Sequence, residues 1–198
     1  MTGSGRESAA RHGRAEVDRD LVERAVRGDT DAFGTIVQSL TDHLYAVAYR
    51  IVRDTGRAED ATQQAILDMW RHLPQLRDPM RFEAWAYRCL TRACYAELRR
   101  QRRWEANLRV LPEARTVEPD HAGAVVRRDA LRHAFRRIPP DQRAAIVLHH
   151  YAGLSIPEVA DALSIPPGTV RSRLFYGMRT LRDAYQRAET AGAERGLA

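Results

Sequence analysis

The residues whose types and spacing could do chemistry begin with Arg88, Arg92, Tyr95 and Arg99, within EAWAYRCLTRACYAELRRQRR, Glu83 to Arg103. At about 100° per residue they form one stripe along a helix. Guanidinium groups pair with phosphate oxygens. An aromatic ring among them gives an unstacked base a platform worth about 1–3 kcal/mol. The pattern suits a single strand better than a duplex, which has less use for the ring. A solvated charged face with Tyr95 packed at its edge is the plainer alternative. On the same helix Trp85, Cys89, Ala93 and Ala96 fall together and are expected to be buried.

A second constellation lies in LSIPEVADALSIPPGTVRSRLFYGMRTLR, Leu154 to Arg182. Ser155 with Glu158 three residues on predicts a capping box opening a short helix. Ser164 to Pro166 form the turn, and Pro167 and Gly168 open a second helix whose N-terminus is bare enough for a phosphate. Val170, Leu174, Met178 and Leu181 are its expected inner face. Thr169, Ser172, Phe175, Tyr176 and Arg179 face outward, flanked by Arg171 and Arg173. That is the layout of a helix-turn-helix whose second helix enters a major groove, with arginines on phosphates and rings against thymine methyls or sugars.

Other chemistries are poorly served. Glu59 with Asp60, and His149 with His150, are adjacent pairs that diverge on a helix and lack a third ligand at useful spacing, so no metal site is expected. Cys89 and Cys94 sit about 140° apart on a helix, too divergent to bridge. No catalytic residues and no cofactor are expected, and the chain does not read as an enzyme. The apolar runs fall short of a membrane span and the first residues carry no hydrophobic signal core, which predicts a cytoplasmic protein without membrane insertion.

The elements that must position these residues are all helical. The chain has 198 residues, room for one ordinary domain or two small ones. Net charge is +6 and all 32 basic residues are arginine; codon usage alone can produce an arginine-only set, so the usable part is the sign. Residues 1–18 lack apolar periodicity and read as a disordered tail. From Asp20 to Gln75 apolar residues recur at helical spacing, with Asp29 or Thr30 and Asp54 as caps and Ala61, Ala65, Ile66, Met69 and Trp70 inward on the last helix. Residues 19–103 are thus expected to form a helical bundle. Residues 104–126, with two prolines and four acidic residues against two arginines, read as a flexible linker. Residues 127–185 form the helix-turn-helix unit, and 186–198 a frayed tail. Residues 20–80 hold ten acidic residues against seven arginines, a surface suited to a protein partner, or simply a solvated one.

These pieces, in this order, resemble a bacterial RNA polymerase sigma factor of the extracytoplasmic-function (ECF) group. DAFGTIV, AEDATQQAILDMWRHLPQLRD and RFEAWAYRCLTRACYAELRR resemble its first conserved domain. RRIPPDQRAAIVLHHYAGLSIPEVADALSIPPGTVRSRL resembles its second, and GTVRSRL behind a capped helix is a specific signature. The resemblance implies a transcription initiation factor that binds core RNA polymerase, directs it to promoters and helps melt promoter DNA. It puts Asp60, Gln63 and Gln64 on the clamp helices of the largest subunit, and Arg77, Met80 and Arg81, with the arginine stripe, on the non-template strand near the start site. The Thr169–Arg179 helix would read the upstream promoter element while its domain meets the flap of the second-largest subunit. It also implies an anti-sigma partner and leaves catalysis to the polymerase. Arg92 stands where the group usually has Asn, Ala96 where Asp is common and Gln64 where Glu is frequent, departures that bear on which flipped base is preferred. A free-standing helix-turn-helix operator-binding regulator is the alternative, but it would need neither the stripe nor the EDATQQ helix.

Overall fold

Aspartate caps set the entries of the first three helices. In the computed structural model, which describes residues 17–108, 134, 135 and 137–195, Asp18 accepts a hydrogen bond from the Asp20 backbone N–H at the start of α1 (Arg19–Val26). Asp29 accepts from Asp31 and Ala32 to open α2 (Thr30–Val52), and also holds the Arg24 guanidinium at 2.7 Å, tying α1 to α2 across their turn. Those bonds and the charge beside it hold the Asp29 carboxyl below the ordinary carboxylate range. The turn passes through Gly28 at φ 95°, backbone that a side chain would strain. Asp54 caps α3 (Thr55–His72) through the Arg57 N–H. Short 3₁₀ turns at Leu73–Gln75 and Pro79–Arg81 then lead into α4 (Phe82–Leu108).

The second group begins with α5 (Pro140–Ile146), which widens into a π turn at Val147–Tyr151. Ser155 and Glu158 form the expected capping box at α6 (Ile156–Leu163). Ser164, left-handed at φ 54°, turns the chain into α7 (Pro167–Arg195). The fold is all-α among the described residues, two small helical groups as expected. Yet the groups share one continuous apolar core, from Val22 and Phe33 through Leu90 and Cys94 to Leu148, Val159 and Val170. The linker 104–126 lies mostly outside the described residues, as do the tail 1–16 and residues 127–133.

Three expectations are corrected. The helix expected to stop at Arg103 runs to Leu108: no Gly or Pro intervenes, and Gln101 Nε2 donates to Glu105 Oε1 at 2.7 Å one turn on. The tail expected to fray is helical to Arg195, its run of Ala, Arg and Glu outweighing the single Gly192. The buried face of α4 is also rotated. Phe82, Ala86, Leu90, Ala93, Cys94 and Leu98 are buried, whereas Trp85 and Cys89 are half-buried and Ala96 is exposed. One wheel face could not anticipate this, because α4 is packed by α2 and α3 on one side and by α6 on another.

Burial pushes the Cys89 thiol up to about 11 and the Cys94 thiol up to about 12, so at neutral pH both stay in the unreactive protonated form.

On α7 the inner position expected of Met178, which is exposed, belongs to Gly177. A Cβ built at Gly177 would lie 2.6 Å from Ile146 Cδ1, which is itself buried. Gly177→Val should therefore overpack the α5–α7 contact and cost about 1–3 kcal/mol. Urea unfolding followed by circular dichroism checks this; an unchanged midpoint would mean that Ile146 can move aside freely.

Candidate nucleic-acid interface

The loop before α4 and the first turns of that helix enclose a recess of about 500 Å³, lined by Leu76, Arg77, Arg81, Trp85 and Arg88, and by Asp161 of α6. Asp78 accepts from the Met80 N–H and so sets the path of the loop. Met80 stands 71% exposed at the tip, and Arg77 and Arg81 are exposed beside it. The Trp85 ring is tilted 43° against Phe82 at 5.9 Å, which braces the indole at the recess wall. A recess of this size, with an indole and three guanidinium groups, has the chemistry to stack an unpaired base and neutralise its phosphates. Sequence reasoning assigned Trp85 to the core. The available signal was its register, four residues after Arg81 and three before Arg88, which continues the arginine stripe.

The stripe is not an open ribbon along its whole length. Arg92 and Arg99 are exposed, but Arg88 is half-buried, its Nε donating to the Asp161 carbonyl oxygen at 2.8 Å. Tyr95 lies against the C-terminal group, near Asp141, Arg173 and Arg143, and burial raises its phenol to about 12. The packed edge position weighed for Tyr95 from sequence is thus the one it occupies. Arg143 beneath it is 5% exposed, and burial, then the neighbouring Arg53, lowers its guanidinium to about 10.

On α7, Phe175 and Tyr176 stand 63% and 56% exposed in a T-shaped pair at 5.4 Å. Arg171, Ser172 and Arg179 share the open surface and Thr169 is half-buried at its start. The Ser172 hydroxyl donates to the Thr169 carbonyl at 2.9 Å, so a ligand must compete for it or use its lone pairs. Arg173 is placed differently from expectation: 24% exposed, it pairs with Asp141 of α5 at 3.3 Å, so it holds the helix in place and does not flank an open groove. Nothing lies within 4 Å of a Cβ at Gly168, so the N-terminus of α7 is bare.

A third surface is the outward side of α3. Gln63 and Gln64 are exposed there, Gln64 Nε2 donates to Asp68 at 2.9 Å, and Asp60 pairs with Arg100 of α4 at 3.1 Å. Leu67, 48% exposed, adds an apolar centre that the sequence reading did not single out. Trp70, expected inside, is 42% exposed with its ring tilted on Phe33 at 5.0 Å. Elsewhere, His149 is bound to the Leu154 carbonyl through Nδ1 at 2.7 Å.

Two family matches cover these elements: Sigma-70 region 2 over residues 36–104 and Sigma-70 region 4 over residues 128–181. An RNA polymerase sigma-H factor of Pseudomonas aeruginosa is 31% identical over 86% of this chain and 95% of its own length. The chain belongs to the ECF group of RNA polymerase sigma factors. The sigma factor is 30% identical to the ECF factor SigL of Mycobacterium tuberculosis, across 79% of this chain and 93% of that protein. It is a transcription initiation factor, and the operator-binding regulator is not favoured. Its fold resembles CnrH, solved with the cytosolic domain of CnrY, at TM-score 0.63 and 22% identity over 87% of this chain and 99% of that one. It also resembles RpoE of Bartonella quintana, solved with the anti-sigma factor NepR, at TM-score 0.60 and 22% identity over 78% and 96%. Among the described residues of the sigma factor, no helix is long and apolar enough to cross a membrane.

Proposed function

We propose that this sigma factor docks core RNA polymerase through the outward side of α3, with Asp60, Gln63, Gln64 and Leu67 against the clamp helices of the largest subunit. The recess and the open part of the stripe, Arg77, Met80, Arg81, Trp85, Arg88, Arg92 and Arg99, then take the non-template strand as it unpairs near the start site. Tyr95 joins them only where the C-terminal group has moved away. The observation that carries this reading is the recess itself, an indole ringed by arginines at the head of the stripe. Unstacking a base costs a few kcal/mol, and stacking on Trp85 with neutralisation of its phosphates is of the size needed to offset that. Chemistry stays with the polymerase.

The exposed face of α7, Thr169, Arg171, Ser172, Phe175, Tyr176 and Arg179, reads the upstream element in the major groove, and the second helical group also meets the flap of the second-largest subunit. Two contacts on one promoter gain from effective concentration, because binding at one site holds the other close. Tyr176→Ala should weaken binding of the holoenzyme to an upstream duplex about fivefold, with binding to a pre-melted promoter fragment that lacks the upstream element unchanged. A mobility-shift titration against both substrates separates the two, and equal losses on both would contradict the division of labour.

Titration of the full chain with core polymerase, followed by a strand-opening probe on the promoter upstream of its own gene, tests the whole reading. Absence of core binding would overturn it. An anti-sigma protein is the further partner we propose, because both structural relatives described above were solved with a partner protein and the RpoE partner is an anti-sigma factor. A pull-down that recovers polymerase and never a second small protein would count against it.

A further inference from the structure

Trp104 belongs to none of the three surfaces already assigned. The sequence places it at the head of the linker, but it lies on the last turns of α4 and stands 65% exposed. Helical register fixes its side. Glu97, Arg100 and Trp104 recur at i, i+3 and i+7 and so share one edge of α4, about 140° from Arg99 and the strand-facing stripe. Arg100 shows what flanks that edge: its Nη2 lies 3.1 Å from Asp60 Oδ2 on α3 and 3.2 Å from Glu97 Oε2. Nearer the start of α4, Cys89 feels the charge of Asp68, so the two helices run antiparallel. Trp104 is one turn beyond Arg100, and Leu67, 48% exposed, is two turns from Asp60 in the other direction. The exposed indole and the exposed leucine therefore end a strip about 17 Å long, with Gln63 and Gln64 between them.

We propose that Trp104 is a second anchor for core RNA polymerase, seated by a helical element of the polymerase that lies along the strip from Leu67 to Trp104. This rests on the assignment of α3 to core docking and extends that surface onto α4. Charge favours a protein over nucleic acid at this edge. Asp60 and Glu97 share the one Arg100, Asp68 lies farther along α3 and Glu105 follows Trp104, so the strip is acidic. A phosphate backbone would be repelled there, whereas a helix carrying basic groups between two apolar seats is complementary to it. Arg103 does not reverse the sign, since register puts it about 40° from Arg99, on the strand side. The size also fits. A length of about 17 Å is three turns of a facing helix, and tryptophan is among the side chains that carry most of the binding energy when a contact excludes water around them. Arg100, held by two carboxylates, keeps α4 against α3 so that both anchors meet one partner together.

The test titrates the full chain with core polymerase by fluorescence anisotropy. The same protein without polymerase is titrated with a single-stranded oligonucleotide carrying the non-template promoter sequence and with a random duplex. Trp104→Ala should weaken core binding about tenfold and leave both nucleic-acid affinities within about twofold. The exposed position leaves the fold intact, which an unchanged thermal melting curve by circular dichroism verifies. If Trp104→Ala binds core polymerase like the parent chain while Leu67→Arg loses affinity, the docking surface stops at α3 and the proposal is overturned. If both variants bind like the parent, the docking role of α3 beneath it is wrong as well. A loss on the oligonucleotide or the duplex that matches the loss on core polymerase would also overturn the proposal, by making Trp104 a nucleic-acid platform.

Discussion

Arg92→Ala should slow open-complex formation about tenfold at moderate salt while leaving affinity for core polymerase within about twofold. Arg92 is the cleanest member of the stripe to remove. It is exposed, and among the described residues no ion pair or hydrogen bond ties it to the second helical group, so its removal disturbs the fold little and its effect reports on the strand. One guanidinium–phosphate contact with a neighbouring stacked base is worth on the order of 1.4 kcal/mol, which is a factor of ten. Because the contact releases counterions, the salt dependence of strand binding should flatten by about 0.7 in log–log slope. A stopped-flow opening assay at several salt concentrations reads both quantities. An unchanged opening rate would remove the stripe from the melting step, and a parallel drop in core affinity would mean that Arg92 acts through the polymerase. Arg88→Ala is a less direct probe, since it removes the interaction with DNA and the interaction with α6 together.

Local chemistry made much of the fold legible. Asp29, Asp54 and the Ser155–Glu158 box are residue types favoured at helix N-termini, and each opens a helix in the structure. Helix ends without punctuation were harder. Nothing between Arg103 and Leu108 breaks a helix and the lone Gly192 does not end α7 before Arg195, so loss of apolar periodicity alone was a poor stop signal: a solvated helix needs no apolar stripe.

The site was legible by residue type but not by accessibility. The outward positions of Phe175, Tyr176 and Arg179 follow from helical register, since α7 has one packed side. Arg88, Tyr95 and Arg173 share the right residue types, yet each is drawn into packing between elements far apart in sequence: Arg88 to Asp161, Tyr95 beside Arg143, Arg173 to Asp141. A wheel drawn for one helix carries no information about a second helix arriving from elsewhere in the chain. Trp85 went the other way, because an aromatic residue flanked by alanines resembles core material until the neighbouring loop is seen to leave its edge open.

Leu67→Arg should lower affinity for core polymerase about a hundredfold and leave the isolated chain folded. Leu67 is 48% exposed at the centre of the outward side of α3, with Gln63 and Gln64 around it and Asp60 toward the N-terminal end. An apolar centre within a polar rim is the anatomy of a protein contact. In the free chain an arginine there stays in water and costs little. In the complex it would bury an unpaired charge against an apolar seat, a change of about 3 kcal/mol that corresponds to roughly a hundredfold in affinity. Fluorescence anisotropy of labelled protein titrated with core polymerase measures the drop. Direct binding of Arg92→Ala to the single-stranded oligonucleotide in parallel keeps the two surfaces separate: Leu67→Arg should leave strand affinity of the free chain unchanged, and Arg92→Ala should leave core affinity nearly so. If Leu67→Arg bound core polymerase like the parent chain, α3 would not be the docking helix. The acidic residues along it would then be only a solvated face, and the docking surface would have to be sought on another exposed helix.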